Sequence, residues 1–130
     1  MVNIKKNHDL GMLLLRLAVG VIFIAHGWMK FADMDMTIAF FGQLGLPAIV
    51  AYVVALVEFL GGIALVVGLF TDLAALLLAV VMVVALVYVK MGMLKVGLVG
   101  GYEFDLVLLA SLLALIFVGP GKHTALKGKM

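Results

Sequence analysis

Cysteine is absent from the chain. It therefore cannot form a disulfide, run its own dithiol chemistry or hold an iron–sulfur cluster. Charge is scarce too: 12% of the 130 residues are charged, against 67% hydrophobic. A soluble domain of this length has too little interior to hide that much apolar surface. No glycine-rich phosphate loop, two-metal carboxylate set or nucleophile–base spacing is present, and Gly97, Gly100 and Gly101 lend loop flexibility rather than a nucleotide fingerprint. The basic tail has no aromatic interleaving of the kind that binds nucleic acid. There are only two prolines. Pro47 opens an apolar run, where a missing N–H costs nothing, and Gly119-Pro120-Gly121 is a helix stop.

What the chain does have is long apolar runs. They predict an all-α integral membrane bundle of four helices, about 10–30, 46–70, 72–90 and 102–118, forming one domain over 1–130. The many valines would favour strands in water. In hydrocarbon an open sheet edge is not tolerated, and no alternation suited to a barrel is visible. Lys5 and Lys6 precede the first run as they would in a signal peptide. However, Arg16 interrupts it and no small-residue cleavage signal follows Met29, so it reads as a retained helix.

Lys5, Lys6 and the tail lysines Lys122, Lys127 and Lys129 predict that both termini are cytoplasmic. The Phe31–Gly45 and Gly92–Gly101 loops would then face outward, and the tail after the helix stop would be mobile. Thr71-Asp72 allows only a tight turn, so the second and third helices should be antiparallel neighbours.

The few intramembrane polar groups are the candidate site. Arg16 lies about 22 Å from the outer end of the first helix, and Glu58 about 18 Å from the outer end of the second. The two are therefore expected to meet, because a lone charge at that depth is expensive. Arg16, Gly20, Phe23, Gly27 and Lys30 share one helix face, with His26 on its flank. His26, Lys30, Glu103 and Asp105 would form an outer layer, with Tyr52 and Trp28 beside it. Each has a structural reading as well: an ion pair holding the bundle, a snorkelling lysine, helix-start acids, interfacial aromatics. One intramembrane histidine and no tight thioether array give no metal site.

These residues resemble the DoxX family of small four-helix membrane proteins. The resemblance rests on "LRLAVGVIFIAHGWMKF", "FFGQLGLP", "VEFLGGIALVVGLFT" and "GGYEFDLVLLASLLALIFVGPGKHT", and covers roughly Leu10 to Thr124. It implies a multi-pass protein of a bacterial or archaeal plasma membrane. Its motif residues are Arg16, His26, Lys30, Glu58 and Glu103. It also implies a link to oxidoreductase systems, among them one acting on thiosulfate and quinone and one in redox defence.

The leading expectation is a membrane subunit of a quinone-linked oxidoreductase, acting on sulfur compounds or in redox defence. Glu58 and His26 would handle protons. Arg16, His26, Lys30, Tyr52, Glu58 and Glu103 would line the quinone site. No haem or flavin site is evident, so electrons would come from a redox or accessory protein partner. Two alternatives stand beside it: a non-enzymatic anchor, assembly or lipid-binding scaffold, and a small-solute transporter whose path homo-oligomerisation could build.

Overall fold

The computed structural model describes residues 6–125. Lys5, Lys127 and Lys129, part of the orientation argument, lie outside the described residues. Among those described, four helices are long and apolar enough to cross a membrane: His8–Ala32, Ala48–Val67, Thr71–Met93 and Leu98–Val118. The chain is an all-α, multi-pass integral membrane protein.

Helix α1 (His8–Ala32) begins where the Asn7 side chain accepts a hydrogen bond from Leu10 N at 3.0 Å. It is followed by α2 (Met34–Gln43), α3 (Ala48–Val67), α4 (Thr71–Val83) and α5 (Glu103–Val118). Helix α4 continues through Val84–Met93 with wider, π-helical winding; Leu94 N still reaches five residues back to Val89 O at 2.8 Å. Gly68, in the left-handed region at φ 77°, ends α3 and turns the chain straight into α4. Phe31–Gly45, expected as a loop, is mostly α2. The Asp33 side chain caps it by accepting from Met36 N at 3.1 Å, and Phe41 is buried beneath it.

Helices α1 and α3 pack backbone to backbone. A methyl group on Gly27 would lie 2.5 Å from Phe59 N, and one on Gly62 2.6 Å from Gly20 O. No side chain larger than hydrogen fits there, and such small-residue contacts are how helices approach closely in lipid. The crossing fixes the register: Gly20 opposite Gly62, Gly27 opposite Phe59. Phe23, Leu65, Leu78 and Leu112 fill the centre of the bundle and are fully buried. Leu14, Val21, Leu60, Val80, Val107 and Phe117 point outward. In water they would form an aggregation-prone surface; in a bilayer they meet acyl chains.

Beyond α5, residues 119–125 fold back across the end of the bundle where α1 begins and α3 ends. Ala125 N donates to Val67 O at 2.9 Å, and Lys122 N donates to the Asp9 carboxylate at 2.9 Å. This part of the tail, expected to be mobile, is a strap. Its backbone groups have partners on α1 and α3, which pin it.

Candidate functional site

The expected Arg16–Glu58 pair does not form. Glu58 is only 5% exposed and accepts a hydrogen bond from Lys30 Nζ at 2.6 Å. Arg16, 1% exposed, spends its donors on backbone carbonyls instead. Nε donates to Leu65 O at 2.9 Å, Nη1 to Pro120 O at 3.0 Å and His123 O at 2.7 Å, and Nη2 to Val66 O at 3.3 Å. The physical reason is the glycine-set register. It puts Arg16 opposite Leu65, about 10 Å along α3 from Glu58. There it satisfies carbonyls that the end of α3 leaves open and ties down the strap.

The charges of the bundle's other half converge. On each of the four spans one charged residue continues the buried stripe towards this end. Lys30 follows Arg16, Phe23 and Gly27 on α1. Glu58 lies among Ala51, Ala55, Gly62 and Leu65 on α3, and Asp105 heads Leu108, Leu112 and Leu115 on α5. On the third span Met82 and Leu86 are buried, and Lys90 follows at the same four-residue step. In a regular α-helix that step drifts around the axis. Wider winding holds the three on one face, so the π segment is what aims Lys90 into the bundle. Lys90 Nζ lies 3.1 Å from Asp105 Oδ2. This is an ionic contact without hydrogen-bond alignment, since Oδ2 is buried and has no hydrogen-bond partner.

Both pairs border one cavity of about 480 Å³. Its polar lining is His26, Lys30, Glu58, Lys90 and Asp105; the rest of the wall includes Phe23, Phe40, Phe41, Phe104 and valines of α3 and the third span. Helix α2 contributes Phe40 and Phe41. Tyr88 Oη donates to Leu44 O at 2.7 Å and ties the loop after α2 to the third span. The cavity's volume and its apolar wall with few polar groups suit a small lipophilic molecule.

His26 has a defined tautomer. Its Nδ1 lies 2.7 Å from Ile22 O, and a carbonyl only accepts, so Nδ1 carries the hydrogen. In the neutral ring Nε2 is therefore an acceptor, and it donates only after taking up a proton. The ring stacks on Phe104 with centroids 6.0 Å apart and planes 26° apart, which holds it at the cavity edge.

Of the residues the sequence singled out, the cavity gathers His26, Lys30, Glu58 and Asp105. It does not gather Arg16, Tyr52 or Glu103. Tyr52 lies on the outward face of α3, 48% exposed, because Ala51 and Ala55 take the inward face. Glu103 is exposed and accepts a hydrogen bond from Gly100 N, closing the turn before α5. Lys90 was missed as a site residue. In sequence it is simply a lysine at the end of an apolar run, and nothing there announces the widened winding. Among the described residues no cluster of three or more metal-ligating side chains of the His, Cys, Asp or Glu type occurs.

Comparison with known proteins bears on the same stretch of chain. The family model described as DoxX matches residues 11–91. The chain is 41% identical over 114 residues to a Bacillus subtilis protein named "Putative oxidoreductase CatD", covering 88% of this chain and 83% of that one. It is 35% identical over 123 residues to an uncharacterized protein of Haemophilus influenzae, covering 92% and 89%. It is also 35% identical over 75 residues to the inner membrane protein YqjF of Escherichia coli, covering 58% of each. No solved structure matches.

Proposed function

Because the chain belongs to the DoxX family, we propose that it is the membrane subunit of a quinone-linked oxidoreductase, with the quinone ring seated in the cavity between the two lysine–carboxylate pairs. One observation carries the reading. The cavity is apolar except for two ammonium–carboxylate pairs and one imidazole, all carried on helices long and apolar enough to cross a membrane. A quinone ring has the matching character: an apolar body whose polar atoms are its carbonyl oxygens. The oxidoreductase in the name of the B. subtilis relative supports the same class of chemistry.

When bound, a quinone supplies an acceptor for two electrons and two protons. The chain's residues have the complementary tasks. Lys30 donates one ammonium hydrogen to Glu58 and turns the others to the cavity, where they meet an acceptor oxygen. Glu58 holds that ammonium in place and stands as proton acceptor behind it. His26 Nε2, at the cavity edge, takes up and releases a proton while Nδ1–H stays on Ile22 O. Lysine, carboxylate and imidazole carry protons rather than electrons. The electrons are delivered by a partner redox protein. The lysine excess of the sequence near its two ends supports a cytoplasmic location for the strap end, with the cavity towards the opposite face.

The test is the quinone content of protein extracted gently from its host membrane. Wild-type protein should carry close to one quinone per chain, measured by mass spectrometry of a solvent extract. Replacing the pair together, Lys30→Met with Glu58→Leu, removes both charges without stranding either. This protein should fold and come out empty. A folded, charge-free variant with the wild-type quinone content would remove the pair from the site and leave it a structural tie.

A further inference from the structure

The second pair, Lys90–Asp105, differs from the first in a way that bears on what the cavity selects. In both pairs the acid is the deeper partner: Glu58 is 7% exposed against 22% for Lys30, and Asp105 10% against 31% for Lys90, by side chain. Both partners of each pair line the cavity, with the ammonium side chains the more exposed. The pairs come from different elements, α1 with α3 and the π-wound end of the third span with α5. Apart from His26, the lining between them offers no other polar side chain. Lys30 is hydrogen-bonded to its acid at 2.6 Å. Lys90 touches Asp105 Oδ2 at 3.1 Å without donating to it, so all three of its hydrogens are uncommitted to that oxygen. An ammonium only partly shielded from water and held beside an acid without being bonded to it keeps its hydrogens for another acceptor. The widened winding that keeps Lys90 on this face is itself a feature that clusters at functional sites.

On this geometry, and resting on the quinone reading above, we infer that Lys90 is the second recognition pole of the cavity: the ligand is a flat ring with two acceptor oxygens, one taken by Lys30 and the other by Lys90. Lys90 is thus a specificity-determining residue that separates a dicarbonyl ring from a ring with a single carbonyl. Asp105 is a positioning residue, which holds the Lys90 ammonium in the cavity by charge while leaving its hydrogens to the ligand.

Two probes of one shape test this. Naphthoquinone carries two ring carbonyls; tetralone has a similar two-ring body with one. Equilibrium binding to purified full-length protein in detergent should favour naphthoquinone about tenfold or more, the scale of one hydrogen bond from a charged donor. Lys90→Met should weaken naphthoquinone by about the same tenfold factor and change tetralone by no more than about twofold, erasing the preference. Lys90→Met with Asp105→Leu avoids a stranded acid and should give the same pattern. Asp105→Asn, which keeps the shape but not the charge, should fall between. A wild-type-sized preference in both Lys90 variants overturns the second pole while leaving the quinone reading intact. So does an equal loss for both probes. No binding of either probe to the wild-type protein rejects the quinone reading itself, and this inference with it.

Discussion

The two ends of this bundle bury charge in opposite ways. At the strap end, none of the described carboxylates forms an ion pair with Arg16. Four carbonyl oxygens from two separate segments, the end of α3 and the strap, close around its guanidinium. Towards the other end, two lysines meet two acids, and about 480 Å³ of open space remains beside them. Both arrangements solve the problem of a charge taken out of water. They differ in what is left over. The guanidinium fork is consumed by backbone and can only hold things together. An ammonium with three hydrogens and one carboxylate partner still has donors to spend. Buried charge therefore marks a tie at one end of the molecule and a site at the other, and the number of committed donors separates them.

The largest break in that comparison should come from Arg16→Ala. It strands carbonyls of Leu65, Val66, Pro120 and His123 and frees the strap. Unfolding free energy should fall by about 3–5 kcal/mol, read by thermal unfolding in detergent, and trypsin should cut after Lys122 much faster than in wild type. Next is Glu58→Ala, which leaves Lys30 unpaired. A loss of about 3 kcal/mol is expected, moderated because Lys30 can turn towards the cavity. The strap's resistance to trypsin should not change. Gly27→Ala would push a methyl group into the backbone of Phe59, one residue from Glu58. Overpacking of this kind costs about 1–3 kcal/mol. It should disturb the Lys30–Glu58 contact while sparing Arg16, so ligand binding should suffer more than protease resistance. The smallest effect belongs to Tyr88→Phe. One hydrogen bond to Leu44 O is lost, about 1 kcal/mol, and hydrogen exchange should quicken in the loop between α2 and α3 alone.

The spans were legible because length and apolar content decide them. The observed helices start and stop within a few residues of the expected bounds, except where winding changes around Val84–Met93 and Leu98–Tyr102. Helix α2 was less visible, although Asp33 ahead of Met36 was a usable capping signal. It was overlooked because the segment is too short to span and carries two acids. Glu58, Lys30 and His26 could be picked out because polar residues in apolar runs are rare. Their partners could not. Depth measured from the helix ends paired Arg16 with Glu58, whereas the true register follows from where Gly20, Gly27 and Gly62 let two backbones touch. That is a property of three-dimensional fit, and a single sequence does not print it. The role of Lys90 depends on a change of helical winding, for which the residues Val84–Met93 carry no distinct pattern.

The most direct test of the account is the stabilisation that a quinone confers on each of two proteins. Thermal unfolding would be measured with and without naphthoquinone for the wild type and for the Lys30→Met, Glu58→Leu protein. At a ligand concentration about a hundredfold above its Kd, the wild type should gain about 2.7 kcal/mol. The charge-free protein, similar in stability without ligand, should gain no more than about half as much, about 1.4 kcal/mol, if losing the Lys30 bond costs about tenfold in affinity. Equal gains in the two proteins, or none in the wild type, would contradict the claim that the lysine–carboxylate cavity is the site.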